Sequence, residues 1–138
     1  MSTAPEISYR ADRRIDGVTF RDILERSGLA ARRPVGDLAR LERMLSAYNL
    51  MLTAWQGELL VGIATAWTDY AYSAYLADLA VAADSQKRGI GRRLVALTRE
   101  AVGPQVTLIL LSAPQAATYY PKIGMERFTD CFLIRRSE

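Results

Sequence analysis

The residues most able to do chemistry in this 138-residue chain lie in one stretch, Gln86-Lys87-Arg88-Gly89-Ile90-Gly91-Arg92. It follows the hydrophobic segment Leu79-Ala80-Val81 and leads into apolar residues at helical spacing. Two glycines remove side chains, so backbone N–H groups can approach an anion closely. The first turn of a helix leaves its N–H groups without intrahelical partners, and the helix dipole adds partial positive charge. Lys87, Arg88 and Arg92 bring full charges to the same place. Such a site suits a pyrophosphate. A dinucleotide fingerprint would need a third glycine where Leu94 stands, and a nucleoside-triphosphate loop would need Gly-Lys-Ser/Thr, which the chain lacks. Two glycines alone also suit a plain turn into a helix.

The charge balance points to the same stretch. The chain holds 18 basic and 15 acidic residues, a net charge of +3. From Asp84 to Glu100, Lys87, Arg88, Arg92, Arg93 and Arg99 stand against those two acids, a local surplus of +3, so the rest of the chain is neutral. A local cationic patch fits an anionic partner. A nucleic-acid-binding module is the alternative: the arginines and the strand tyrosines could contact phosphates and stack bases. Such a surface spreads its basic residues along a face, however, and here they gather at one loop–helix junction.

Several chemistries are excluded outright. The chain has no histidine, hence no Ser-His-Asp triad, Cys-His dyad or His-ligated zinc. No carboxylates cluster, and no metal is expected. A lone Cys131 cannot form an internal disulfide and is expected as a small core residue on a late strand. Half the residues are hydrophobic and 24% are charged, the balance of a folded globular protein, expected as one domain over 1–138. No apolar run reaches the roughly 20 residues of a membrane-spanning helix. The first residues, Met1-Ser2-Thr3-Ala4-Pro5-Glu6-Ile7, lack the pattern of a signal peptide, so a cytoplasmic protein without a membrane partner is expected.

The elements that must position this stretch follow from periodicity. Strands are predicted over 7–9, 50–55, 59–67, 72–81, 106–111 and 128–134. The run 106–111 is apolar throughout, as in a strand covered on both faces. Thr19 is placed to cap a first helix that Gly28 stops; Asp37 starts a second, which ends near Asn49. A third helix runs from Gly89 to Val102 with Ile90, Leu94, Leu97 and Ala101 on its apolar face, and a short fourth covers 116–122. The fold class is α/β (α+β): a central mixed, mostly antiparallel sheet flanked by helices on both faces.

Two motifs then carry a resemblance. Gln86-x-x-Gly89-x-Gly91, set between its strand and helix, is similar to the Gln/Arg-x-x-Gly-x-Gly/Ala motif of the Gcn5-related N-acetyltransferase (GNAT) superfamily. Downstream, Ala116-Ala117-Thr118-Tyr119-Tyr120-Pro121-Lys122-Ile123-Gly124-Met125 resembles that family's Ala-x-x-Phe-Tyr-x-Lys-x-Gly-Phe segment. The resemblance is specific over 76–125, and the element order extends it to the whole chain. Two departures stand out. Ser112-Ala113-Pro114-Gln115 lacks the Asn that family members often carry there to contact coenzyme A, and Met125 replaces Phe.

The resemblance implies a single GNAT domain using acetyl-coenzyme A as co-substrate. It places the pyrophosphate on the amides of Lys87, Arg88, Gly89, Ile90, Gly91 and Arg92, after Gln86, and the pantetheine beside Leu79, Ala80 and Val81. It implies direct attack of a small-molecule primary amine on the thioester. Without histidine to activate Cys or Ser, a covalent acyl-enzyme is disfavoured. Tyr120 occupies the family's acid position for the departing thiolate, while Tyr119 matches a core Phe. Candidates to accept the amine's proton are Asp78, Asp69, Tyr70 and Tyr75; Asp78, in an otherwise apolar strand, is either functional or paired with an arginine. Arg32-Arg33-Pro34 and Trp67-Thr68-Asp69-Tyr70 are similar to stretches of plant-type serotonin N-acetyltransferases and bacterial relatives. That similarity points to an arylalkylamine acceptor, with Trp67, Tyr70, Tyr72 and Tyr75 either lining its pocket or standing as ordinary sheet aromatics; a polyamine, an amino sugar, an antibiotic or a protein amine stays open. A homodimer and a non-catalytic acetyl-coenzyme A sensor are also within what the resemblance implies.

Overall fold

In the computed structural model, which describes residues 6–138, five strands pair in sequence order within one sheet. They are β1 (Ile7–Arg10), β2 (Leu50–Gln56), β3 (Leu59–Thr68), β4 (Ser73–Val81) and β5 (Thr107–Ile109). All neighbours are antiparallel except β4 and β5, which run parallel. Helices α1 (Gly17–Ser27) and α2 (Leu38–Ala47) cover one face; α3 (Ile90–Val102) covers the other, followed late in the chain by the one-turn α4 (Tyr119–Lys122). The expected fold class is the one observed. No helix among the described residues is long and apolar enough to cross a membrane. The signal-peptide expectation falls largely on residues 1–5, outside the described residues.

The side-chain alternation of β3 and β4 builds two cores. Ile63 and Ala80 join Phe20, Leu24 and Leu41 under α1 and α2, while Ala64, Ala66 and Leu76 join Ile90 and Leu94 under α3. In β4 the alternation breaks once. Asp78 pairs with Thr65 and Leu76 with Ala66, leaving Ala77 as an extra residue between them. A bulge of this kind bends its strand and increases the local twist. β4 pairs with β5 only from Ser73 to Tyr75, opposite Thr107 to Ile109, and beyond Tyr75 that edge of β4 is unpaired. The strand segment before the glycines lies on this unpaired stretch.

Several expectations needed correction. Asp16, not Thr19, caps α1: its carboxylate accepts the Thr19 N–H at 2.8 Å, so the helix starts three residues earlier. Gly28 ends it in the left-handed conformation (φ 86°), and Asp37 caps α2 as expected, although α2 stops at Ala47. On α3, Ala101 is exposed; Val95, Thr98 and Val102 are buried instead. Thr98 can be buried because its hydroxyl donates to the Leu94 carbonyl at 2.8 Å, which hides its polarity inside the helix. The fourth helix begins at Tyr119, after a 3₁₀ turn over Pro114–Ala116. β5 is three residues long and not covered on both faces: Leu108 and Leu110 pack toward α3, while Ile109 and Leu111 are exposed. Residues 126–138 form no strand, and Cys131 is exposed, not in the core. The hydrophobicity of 128–134 finds no burial there: Phe132 is 92% and Ile134 100% exposed.

The approach of α3 to the sheet depends on Gly62. A Cβ at this position would lie 3.0 Å from the Ile90 side chain and 3.1 Å from that of Leu94, the two residues that fix the start of α3. Gly62→Val is therefore expected to overpack this contact and destabilise the fold by about 1–3 kcal/mol. Urea denaturation of the two proteins checks it, with a lower midpoint and an unchanged slope as the expected result.

Candidate active site

The start of α3 is built from backbone. Gly89 (φ 78°) caps the helix in the left-handed conformation, with no side chain taking the capping role. The first helical bond runs from the Arg93 N–H to the Gly89 carbonyl at 3.0 Å, so the amides of Gly89 to Arg92 precede the intrahelical ladder. Lys87 is also left-handed (φ 67°), an uncommon state for a residue with a side chain. Turns of this kind can form concave arrays of N–H donors suited to anions. Gln86 donates its side-chain amide to the Val81 carbonyl at 3.0 Å and ties the loop to the end of β4. Ile90 is buried and anchors the helix; Lys87, Arg88 and Arg92 are exposed around its start.

Gly91 has a specific steric reason. A Cβ there would meet the Tyr119 hydroxyl at 2.9 Å. Tyr119 was expected in the core but is 36% exposed, with its hydroxyl against the first turn of α3. Its neighbour Tyr120 is the more enclosed of the two, and the rings meet edge to face at 5.3 Å. Burial raises the Tyr120 phenol above its ordinary value, Tyr119 adds to this, and the charge of Arg33 opposes it. The Tyr119 phenol is raised by burial and opposed by Arg92. Lys122 is exposed on α4.

The donor set fits a coenzyme A-type ligand. Main-chain amides and cations gather at the start of α3, and the edge of β4 beyond Tyr75 is not paired with β5. Leu79, Ala80 and Val81 lie on that stretch, paired with β3 on their other edge. Among the described residues no group of three or more His, Cys, Asp or Glu could hold a metal ion.

On the opposite face of β4, Asp78 is 1% exposed and paired with an arginine, one of the two readings its position allowed. Arg33 Nε donates to Oδ1 at 2.6 Å; the Tyr48 and Thr65 hydroxyls both donate to Oδ2 at 2.7 Å. A buried carboxylate needs such partners to remain an anion. Tyr48 and Thr65 carried no signal in the sequence, because the contacts span 30 and 13 residues between separate elements. Arg33 stood out only through the Arg-Arg-Pro similarity. The Tyr48 phenol is pushed far above its usual range, first by burial and then by the adjacent Asp78 charge.

Next to this cluster lies an open cavity of about 470 Å3 lined by Asn49, Trp67, Thr68, Asp69, Tyr75 and Ile109, among others. Trp67 stacks on Tyr75 with ring centroids 5.6 Å apart and planes 16° apart, and Tyr48 meets Trp67 at 5.3 Å. Tyr70 and Tyr72, expected in the same wall, are not among its lining residues. Tyr72 is largely exposed, and the Tyr70 hydroxyl donates to the Asn49 carbonyl at 3.3 Å. Asp69 Oδ1 accepts the N–H groups of Ala71, Tyr72 and Ser73 at 2.8–3.1 Å, which lowers its carboxyl below the ordinary value and shapes the turn.

Comparison with known proteins accords with this geometry. A family model described as "Acetyltransferase (GNAT) domain" matches residues 24–132, and the chain belongs to that acetyltransferase family. No curated protein is a significant sequence match. Solved structures share the fold at low identity. A GNAT-family acetyltransferase of Streptococcus pneumoniae is 22% identical with a TM-score of 0.71, covering 96% of this chain and 98% of that one. A Staphylococcus aureus protein of unknown function is 14% identical with a TM-score of 0.78, covering 95% and 100%. The aminoglycoside N-acetyltransferase AAC(6')-Iy, solved in complex with CoA, is 17% identical with a TM-score of 0.72, covering 99% of each chain.

The buried phenol has a consequence for stability. The folded protein holds the Tyr48 proton more tightly than the unfolded chain, whose phenols titrate near 10. That stabilisation is complete below about pH 10 and is lost as pH rises further. Tyr48→Phe is expected to cost about 1–3 kcal/mol at pH 7, since Asp78 loses a donor, and to show a shallower loss of stability above pH 10. Urea melts from pH 7 to 11 check both parts.

Proposed function

We propose that the protein is a cytoplasmic enzyme that transfers the acetyl group of acetyl-coenzyme A directly to a primary amine of a small molecule. The observation that carries this reading is the edge of β4 beyond Tyr75, no longer paired with β5, followed in the chain by the glycine-capped helix start. The pyrophosphate would lie on the amides of Lys87 to Arg92, and Leu79, Ala80 and Val81 would offer main-chain donors to the thioester. Such donors stabilise negative charge on the carbonyl oxygen without requiring a particular side chain. The amine nitrogen forms its bond to the acetyl carbon as the carbon–sulfur bond breaks; Tyr120 gives its proton to the departing thiolate, the amine passes one proton to solvent water, and Tyr120 regains a proton from water. Asp78, engaged on both oxygens, serves this reading through the groups it holds. The family's dimers bring a homodimer into the same proposal, supported by the exposed Phe132 and Ile134.

Calorimetric titration with acetyl-coenzyme A tests the donor site. Binding is expected, weakened at least about tenfold in Arg92→Glu, as removal of a cation from an anion site requires. A short DNA duplex serves as control; binding of DNA alone, steeply salt-dependent, would overturn the reading. Tyr120→Phe is expected to lower kcat on the order of 10²-fold at unchanged affinity for acetyl-coenzyme A, measured by thiol release.

For the acceptor we infer an arylalkylamine. The support is the Trp67–Tyr75 stack beside a cavity of about 470 Å3, which offers a flat apolar wall to an aromatic ring. Trp67→Ala is expected to lower kcat/KM for tryptamine about tenfold, the scale of a lost aromatic contact and its buried area, and to leave an aliphatic polyamine nearly unchanged. Equal losses for both amines would remove the cavity from the acceptor site.

A further inference from the structure

Arg33 lies just after the short turn that follows α1, 45 residues from Asp78, yet its guanidinium reaches the bulge of β4. All three of its nitrogens donate. Nε bonds Asp78 Oδ1 at 2.6 Å, Nη2 bonds the Ala77 carbonyl at 2.9 Å, and Nη1 bonds the carbonyl of Arg32 at 2.9 Å. Ala77 is the residue that the bulge inserts into β4. A bulged residue is left out of the ladder, so its backbone needs a partner from elsewhere. The guanidinium supplies one, and with the same plane holds the next side chain along. Asp78 is in turn fixed by Tyr48 from the end of α2 and by Thr65 from β3. The bulge is thus gripped at two consecutive residues by one rigid, planar group.

That grip lies one residue before Leu79, Ala80 and Val81. The charge of Arg33 also opposes the burial-driven rise of the Tyr120 and Tyr75 phenols. We propose that Arg33 is a positioning residue for acetyl transfer: by clamping Ala77 and Asp78 it sets the direction in which the strand beyond the bulge presents its amides to the thioester. The proposal rests on the acetyltransferase reading above. Arg33 does not touch the reacting atoms; it acts through β4. An ion pair that only stabilised the fold would accept lysine in place of arginine. The clamp would not, because an ammonium is a point donor and cannot match the paired Nε and Nη2 geometry.

The test uses two variants of the full chain. Arg33→Lys keeps the charge beside Asp78. The double variant Arg33→Met with Asp78→Asn removes both charges, so no unpaired buried ion is left to unfold the protein. Three quantities are measured: acetyl-coenzyme A affinity by calorimetry, kcat by thiol release, and amide hydrogen exchange across 77–81. Both variants are expected to bind acetyl-coenzyme A within about threefold of the parent, to lose on the order of 10²-fold in kcat, as small misplacements of a reacting group do, and to exchange faster than the parent at 77–81 with β2 unchanged. A folded Arg33→Lys protein with kcat within about twofold of the parent overturns the proposal. Unchanged exchange at 77–81 also overturns it, whatever the activity. If the parent itself neither binds acetyl-coenzyme A nor acetylates any amine, the acetyltransferase reading falls, and the role in transfer falls with it; faster exchange in Arg33→Lys would then preserve only the clamp on β4.

Discussion

A carboxylate that is 1% exposed must be surrounded by donors, and the donors of Asp78 come from three separate parts of the chain. Arg33 arrives from the connection between α1 and α2, Tyr48 from the end of α2, and Thr65 from β3. Desolvating such a charge costs several kcal/mol, so the three must stay in place together. The requirement falls at the bulge of β4, just past the last residue that pairs with β5. One electrostatic constraint therefore links the helical layer to the strand that leads to the glycines.

The glycine stretch that follows β4 uses little side-chain chemistry. The start of α3 depends on where side chains are missing: Gly89 adopts a backbone conformation that side chains disfavour, and Gly91 makes room for the Tyr119 hydroxyl. Gly62 does the same on the sheet side, letting Ile90 and Leu94 come close enough to fix the helix. The absence of bulk at these points leaves main-chain amides open to an anion, and the nearby cations add long-range attraction for one. In the reaction we propose, positioning and backbone donors would do work that a chain without histidine cannot give to an imidazole.

What could be read in the sequence was local. The glycine pattern, the strand before it, the helix after it and the paired tyrosines all lie within one continuous stretch, and periodicity located β2, β3, β4 and α3 to within a residue or two. Non-local features were not legible. Nothing in the spacing ties Arg33 to Asp78 or Tyr48 to either, because each contact forms only once the layers pack. Side-chain polarity misled in two ways. Thr98 is buried because it satisfies its own hydroxyl within the helix, and the apolar run near the C-terminus stays exposed because no sheet neighbour receives it. The exchange of Asp16 for Thr19 as the cap of α1 was a choice between two good cap formers three residues apart, which only the hydrogen bond decides.

The pairing of β4 with β5 has a mechanical meaning. Two strands joined over only three residues hold each other through a short ladder whose last rung is Tyr75 and Ile109. Both residues also line the cavity of about 470 Å3, and Tyr75 carries the stack with Trp67, so the rung that ends the ladder is at the same time part of the cavity wall.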